Sequence, residues 1–100
     1  MSDEFVAYVD KDLKDLVPTF LENRQQDVEK MLAALQNWDY AEVRKIGHQI
    51  KGSGGGYGFD AISEYGRNIQ AAAEAQDADE CEGWINGLAD YLSKVQVVYQ

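Results

Sequence analysis

Apolar residues recur at intervals of three and four along most of this chain, a spacing that predicts helices rather than strands. The first run carries Leu13, Leu16, Val17, Phe20, Leu21, Val28, Met31, Leu32 and Leu35, and predicts a helix from about Asp12 to Gln36. Pro18 marks either a kink in that helix or its true start, because proline lacks the N–H that a helix interior needs. Arg24 falls on the apolar stripe, where an arginine buries its stem and pairs its guanidinium with an acid that the pattern does not name.

Three further helices follow. Asp39 can cap the second, with Glu42 in capping-box position, and Val43, Ile46, Gly47 and Ile50 form its buried face. The third runs from Asp60 to about Ala75 on a stripe of Ile62, Tyr65, Ile69 and Ala73. The fourth starts near Asp79, with Glu82 as its capping-box partner, and buries Cys81, Trp84, Ile85, Leu88, Leu92 and Val95. Short connections between such helices favour an antiparallel four-helix bundle, so the fold class is all-α. Phe5, Val6, Tyr8 and Val9 make residues 1–9 too apolar for a free tail. They fit helix and extended strand alike and are expected to pack on the bundle as an additional N-terminal segment.

The candidate chemistry lies in the second helix. His48 is the sole histidine, and at about 100° per residue it points about 140° away from Val43, toward solvent. Its neighbours one turn away on that outer face are Ala41, Arg44, Lys51, Gly52 and Gly55. An exposed imidazole is thereby ringed by two cations and three residues with almost no side chain. Each helical glycine costs about 0.5 to 1 kcal/mol relative to alanine, so Gly52, Gly54, Gly55 and Gly56 ask for a reason. Gly54 and Gly56 suit the end of a helix, with Gly58 making the turn before Asp60, whereas Gly52 and Gly55, beside His48, suit the close approach of another molecule.

His48, Lys51, Gly52, Gly55, Gly58 and Phe59, set between a long apolar helix and an amphipathic one, resemble the histidine-containing phosphotransfer (HPt) domain of multistep two-component signalling. The resemblance spans essentially the whole chain. It implies that His48 is the phosphoacceptor, taking a phosphoryl group from an aspartyl phosphate on a receiver domain and passing it to an aspartate on another. It also implies a site role for Gln70, since related domains place a glutamine at the corresponding point of the next helix.

The residue types agree with that chemistry. A neutral imidazole is a competent nucleophile that needs no separate base. Lys51, at i+3, can set its ammonium beside phosphoryl oxygens and offset charge in the transition state. Arg44, at i−4, suits either similar electrostatic support or plain solvation, and Gln70, on the border of the third stripe, suits either a hydrogen bond to the site or a packing cap.

One hundred residues make one domain, 1–100, too short to add the ATP-binding domain of a histidine kinase, so a phosphocarrier rather than an autonomous enzyme is expected. The net charge of −9 argues against nucleic acid as a partner. Arg44, Lys45 and Lys51 nevertheless concentrate positive charge near His48, which suits one acidic pocket such as that of a response-regulator receiver domain, including one carried by a hybrid histidine kinase. No apolar run approaches the roughly 20 residues that span a bilayer and no signal-peptide pattern opens the chain, so a cytoplasmic protein without membrane association is expected.

Cys81 stands alone, which excludes an internal disulfide, and with one histidine it supplies no zinc-type cluster. No metal or other cofactor is therefore expected on this chain, and any Mg²⁺ belongs on the receiver. A nucleotide loop is excluded too. Gly-x-Gly-x-x-Gly would need glycine at Tyr57 or Phe59, and no glycine precedes a Lys-Ser/Thr pair. The alternative to a carrier is a non-catalytic helical adaptor or docking protein in signalling, whose small-residue face binds a partner and whose His48 is incidental. A metal- or haem-binding bundle would need more ligands than one histidine offers.

Overall fold

Pro18 sets the start of the first helix. A computed structural model describes residues 5–100, and in it α1 spans Val17–Gln36 with Pro18 in its opening turn. The helix expected from Asp12 therefore begins five residues later. Continued backwards, it would drive the proline ring into the carbonyl one turn earlier and forfeit a hydrogen bond. Residues Lys11–Leu13 instead form a single 3-10 turn, capped by Asp10, whose carboxylate accepts from the Asp12 N–H at 2.8 Å. Leu16, placed on the buried stripe by the spacing, is exposed as a result.

The remaining helices are α2 (Tyr40–Gly54), α3 (Asp60–Glu74) and α4 (Ala78–Lys94). The connections after α1 and α3 are built alike. Trp38 and Gln76 take positive φ (58° and 53°), and the next residue donates its N–H back to the helix just ended, Asp39 to Ala34 and Asp77 to Ala72. This closes each helix as a Schellman motif without glycine. Each of those aspartates then caps the helix that follows, Asp39 accepting from Glu42 N–H and Asp77 from Glu80 N–H, both at 3.1 Å. The cap of α4 is thus Asp77 with Glu80, two residues before the expected Asp79 with Glu82, because the tight turn presents Asp77 to the first free N–H groups.

α2 runs antiparallel to α1 and to α3. Arg24 and Phe20 of α1 meet Ser53 and the Tyr57–Phe59 turn beyond α2, while Gly47 and Gly54 of α2 lie against residues 66–70 and Ser63 of α3, so numbers rise along one helix as they fall along the other. Met31, Val43, Ile50, Phe59, Ile62, Ile69, Cys81, Ile85 and Leu88 are almost wholly buried between them. Phe20 stacks on Phe59 and Tyr57 with centroids 5.5 and 4.3 Å apart. The acid for Arg24 is Asp27, 2.8 Å from Nε, and the guanidinium also covers the Phe20 ring. Trp84, expected in the core, is 37 % exposed and lies on the outer side of α4, where its indole N–H donates to Glu80 and its ring meets the edge of Tyr65.

The N-terminal segment is a strand, β1 (Val6–Val9), paired in parallel with β2 (Gln96–Tyr99) in the register Val6↔Gln96 to Val9↔Tyr99. Ala7 and Val9 face the core and Tyr8 faces out. The expected packing on the bundle therefore holds from Phe5 onward; the part that concerns residues 1–4 lies outside the described residues. Burial, with the Asp77 and Glu80 carboxylates behind it, pushes the Cys81 thiol pKa up, which makes it a small core residue and not a reactive thiolate. Among the described residues no helix is long and apolar enough to cross a membrane.

Candidate functional site

The site is built where α2 and α3 touch most closely, and glycine permits the contact. A Cβ at Gly66 would sit 2.4 Å from the Lys51 backbone nitrogen and 2.8 Å from the Gly47 carbonyl, and one at Gly47 would sit 3.0 Å from the Gln70 nitrogen. At Gly54 it would meet the Ser63 nitrogen and hydroxyl at 2.7 Å. These three are buried because backbone packs on backbone there. Gly54, which suited a helix end, is the last residue of α2 and serves packing as well.

That approach brings Gln70 of α3 to His48 of α2. His48 is exposed, and its Nδ1 lies 3.4 Å from Gln70 Oε1. The Gln70 amide nitrogen donates in turn to Glu74 Oε2 at 3.3 Å. Arg44 and Lys51, one turn to either side of His48, are exposed, and no carboxylate of a described residue comes within 4.0 Å of either charge. Lys45, by contrast, is engaged by Glu42 at 3.6 Å. Two cations that no carboxylate of a described residue neutralises therefore flank the imidazole. Unpaired surface cations suit a ligand that brings its own negative charge, because nothing has to be displaced first.

The small residues of the outer face divide into two kinds. A Cβ at Gly52 would meet no atom within 4 Å, and one at Gly55 only Ser63 Oγ at 3.7 Å and Asp60 Oδ1 at 3.8 Å, both ordinary contacts. Neither is kept small by its own fold. Ala41 is exposed beside Arg44 and His48, where shallow grooves run along α2 and across to Glu74. Gly58, at φ 87°, makes the turn into α3 through the left-handed region that glycine enters freely.

Sequence reasoning picked out His48, Lys51, Arg44, Gln70, Ala41, Gly52 and Gly55, and the structure sets all of them on or beside one face of the α2–α3 pair. It passed over Gly66, Ser63 and Glu74. A glycine inside the α3 pattern was the available signal for Gly66, since such a residue lowers helix stability unless packing requires it. Ser63, whose hydroxyl accepts from the Gly55 N–H at 2.8 Å, and Glu74 carried none. Among the described residues no three His, Cys, Asp or Glu side chains gather as a metal cluster would require.

Four helices pack as a bundle that presents His48 on an outer face. The model of the Hpt domain family matches residues 15–97, and the chain belongs to that family. The matched span takes in all four helices and leaves β1 outside. Hpt domains serve phosphotransfer in two-component phosphorelays, as phosphocarriers rather than kinases, and interact with receiver domains of response regulators. Neither curated proteins nor solved structures gave a match to the chain.

Proposed function

We propose that His48 is the phosphoacceptor of this Hpt domain, taking a phosphoryl group from a receiver-domain aspartyl phosphate and handing it to an aspartate of another receiver. The observation that carries this reading is the exposed imidazole between two cations that are unpaired among the described residues, with Gln70 against its Nδ1. With the proton on Nδ1, Nε2 keeps its lone pair in the ring plane and needs no base. It attacks phosphorus in line as the acyl phosphate P–O bond breaks, and the electron pair leaves on the aspartate carboxylate. The ring becomes cationic as the N–P bond forms, so the Nδ1–H donates more strongly to Gln70 Oε1 in the transition state than before it. Lys51 offsets charge on the equatorial oxygens, and Arg44 adds electrostatic support from the other side.

Ala41, Gly52 and Gly55 form the landing surface for the receiver, because nothing inside the fold calls for a small residue at the two glycines. The receivers include that of a hybrid histidine kinase, the carrier works in the cytoplasm, and the catalytic metal stays with the receiver.

Incubation with a phosphorylated receiver tests the reading. The wild type is expected to acquire acid-labile, base-stable label, and His48→Gln to acquire none while melting within about 0.5 kcal/mol of the parent, as an exposed substitution should. Label retained by His48→Gln, or absent from the wild type, would leave a non-catalytic docking protein as the better description.

A further inference from the structure

We propose that Glu74, one turn beyond Gln70 on α3, is a positioning residue that selects the reactive tautomer of His48 by fixing which way the Gln70 amide faces. The proposal rests on His48 as the phosphoacceptor and adds a residue that touches neither the phosphoryl group nor the imidazole.

A primary amide has two unlike ends. Its oxygen only accepts and its nitrogen only donates, and turning the group over exchanges them at almost no cost in shape. Gln70 lies between His48 Nδ1, 3.4 Å from one end, and Glu74 Oε2, 3.3 Å from the other. An ionised carboxylate can only accept, so the amide must turn its NH₂ toward Glu74. Its oxygen is then left facing His48. An oxygen there binds Nδ1 only when Nδ1 carries the proton, which leaves Nε2 unprotonated and nucleophilic. In the opposite orientation the amide oxygen would confront the carboxylate, and the NH₂ would favour a bare Nδ1 with the proton on Nε2, the nitrogen that has to attack.

The helix makes the arrangement mechanically simple. Gln70 and Glu74 are i and i+4 on α3, so both side chains leave the same face one turn apart, and no loop has to be ordered to bring them together. Glu74 also lines a groove with Tyr40, Ala41 and Arg44, so a receiver landing on α2 comes over the Glu74 end of the hydrogen-bond chain and strengthens it by excluding water.

Nitrogen-detected NMR of His48, at a pH where the imidazole is neutral, reads the tautomer directly and needs no phosphodonor. In the wild type the Nδ1–H form is expected to dominate. Glu74→Lys replaces an acceptor with a donor, which turns the amide over and should shift the ratio several-fold toward Nε2–H. Labelling of Nε2 by phosphoramidate should slow in proportion to the Nδ1–H fraction that is lost, a smaller factor than the change in ratio. Glu74→Ala, which only removes the acceptor, should give an intermediate ratio. In a Gln70→Ala background neither substitution should move the ratio, because the mediator is gone. A ratio unchanged in Glu74→Lys overturns the proposal, and so does an equal shift with and without Gln70, which would mean a through-space charge effect. If the wild type takes no label while the tautomer ratios behave as described, it is the phosphoacceptor reading that fails and the positioning chain that stands.

Discussion

Replacing Gly66 with alanine adds one methyl group at the closest approach of α2 and α3. That methyl would lie 2.4 Å from the Lys51 backbone nitrogen, 2.8 Å from the Gly47 carbonyl oxygen and 2.9 Å from the Lys51 Cα. Comfortable separations between heavy atoms begin near 3.5 Å, so the helices must part by about 1 Å. All three neighbours are backbone, and no change of rotamer relieves them. Overpacking of this kind costs about 1 to 3 kcal/mol, and the backbone contacts put this case at the upper end. Alanine returns about 1 kcal/mol of helix propensity, which leaves a net loss of about 2 kcal/mol. In a domain of 100 residues that lowers Tm by roughly 8 to 16 °C. Gly52→Ala has the same propensity gain and meets no atom within 4 Å, so it should raise Tm by roughly 4 to 8 °C. Parting α2 from α3 by 1 Å would also carry His48 Nδ1 and Gln70 Oε1 from 3.4 Å to beyond hydrogen-bond reach, so Gly66→Ala should weaken the Nδ1–H preference in the His48 spectrum. Thermal melts of the two variants beside the parent decide the matter. A Gly66→Ala protein that melts at or above the parent would refute the claim that glycine is needed for this contact.

Lys51→Ala should slow receiver-dependent transfer or shorten the life of the phosphorylated state by about 10-fold or more, the weight of one well-placed charge on a transferring phosphoryl group; stopped-flow transfer and decay of label measure it, and unchanged kinetics would reduce Lys51 to surface. Gly55→Gln should keep or improve thermal stability, since the added Cβ meets only ordinary contacts, and should still accept phosphate from phosphoramidate, yet fail with a phosphorylated receiver whose aspartate must come close. Normal receiver-dependent transfer in Gly55→Gln would remove the landing-surface account, and a lower Tm would assign that glycine to the fold.

The helical periods, the aspartate caps and the outward aim of His48 are local properties, and local rules decided them. Asp39 caps α2 and Gly58 turns the chain because each acts on backbone within a few residues of itself. The apolar stripe of α2 placed Val43, Ile46, Gly47 and Ile50 inside and His48 outside for the same reason: helix geometry alone sets those directions. The expected cap of Asp79 with Glu82 gave way to Asp77 with Glu80, because the three-residue turn after α3 presents Asp77 to the first free N–H groups of α4. Leu16 and Trp84 have the right spacing for burial, but Pro18 removes one from the helix and the outer side of α4 exposes the other.

What the sequence could not contain was the identity of partners distant along the chain. Parallel pairing of β1 with β2 joins residues 90 positions apart, and four apolar residues without a partner cannot announce a strand. Gly66 against Lys51, and Glu74 reaching His48 through Gln70, likewise exist only once α3 lies on α2. The sequence by itself determined the helices, the outward aim of His48 and the charge around it, because side-chain direction follows from backbone period. The tertiary structure alone decided how near the third helix comes and which of its side chains reach the imidazole, because those are distances between elements, set by packing and by the absence of a single Cβ.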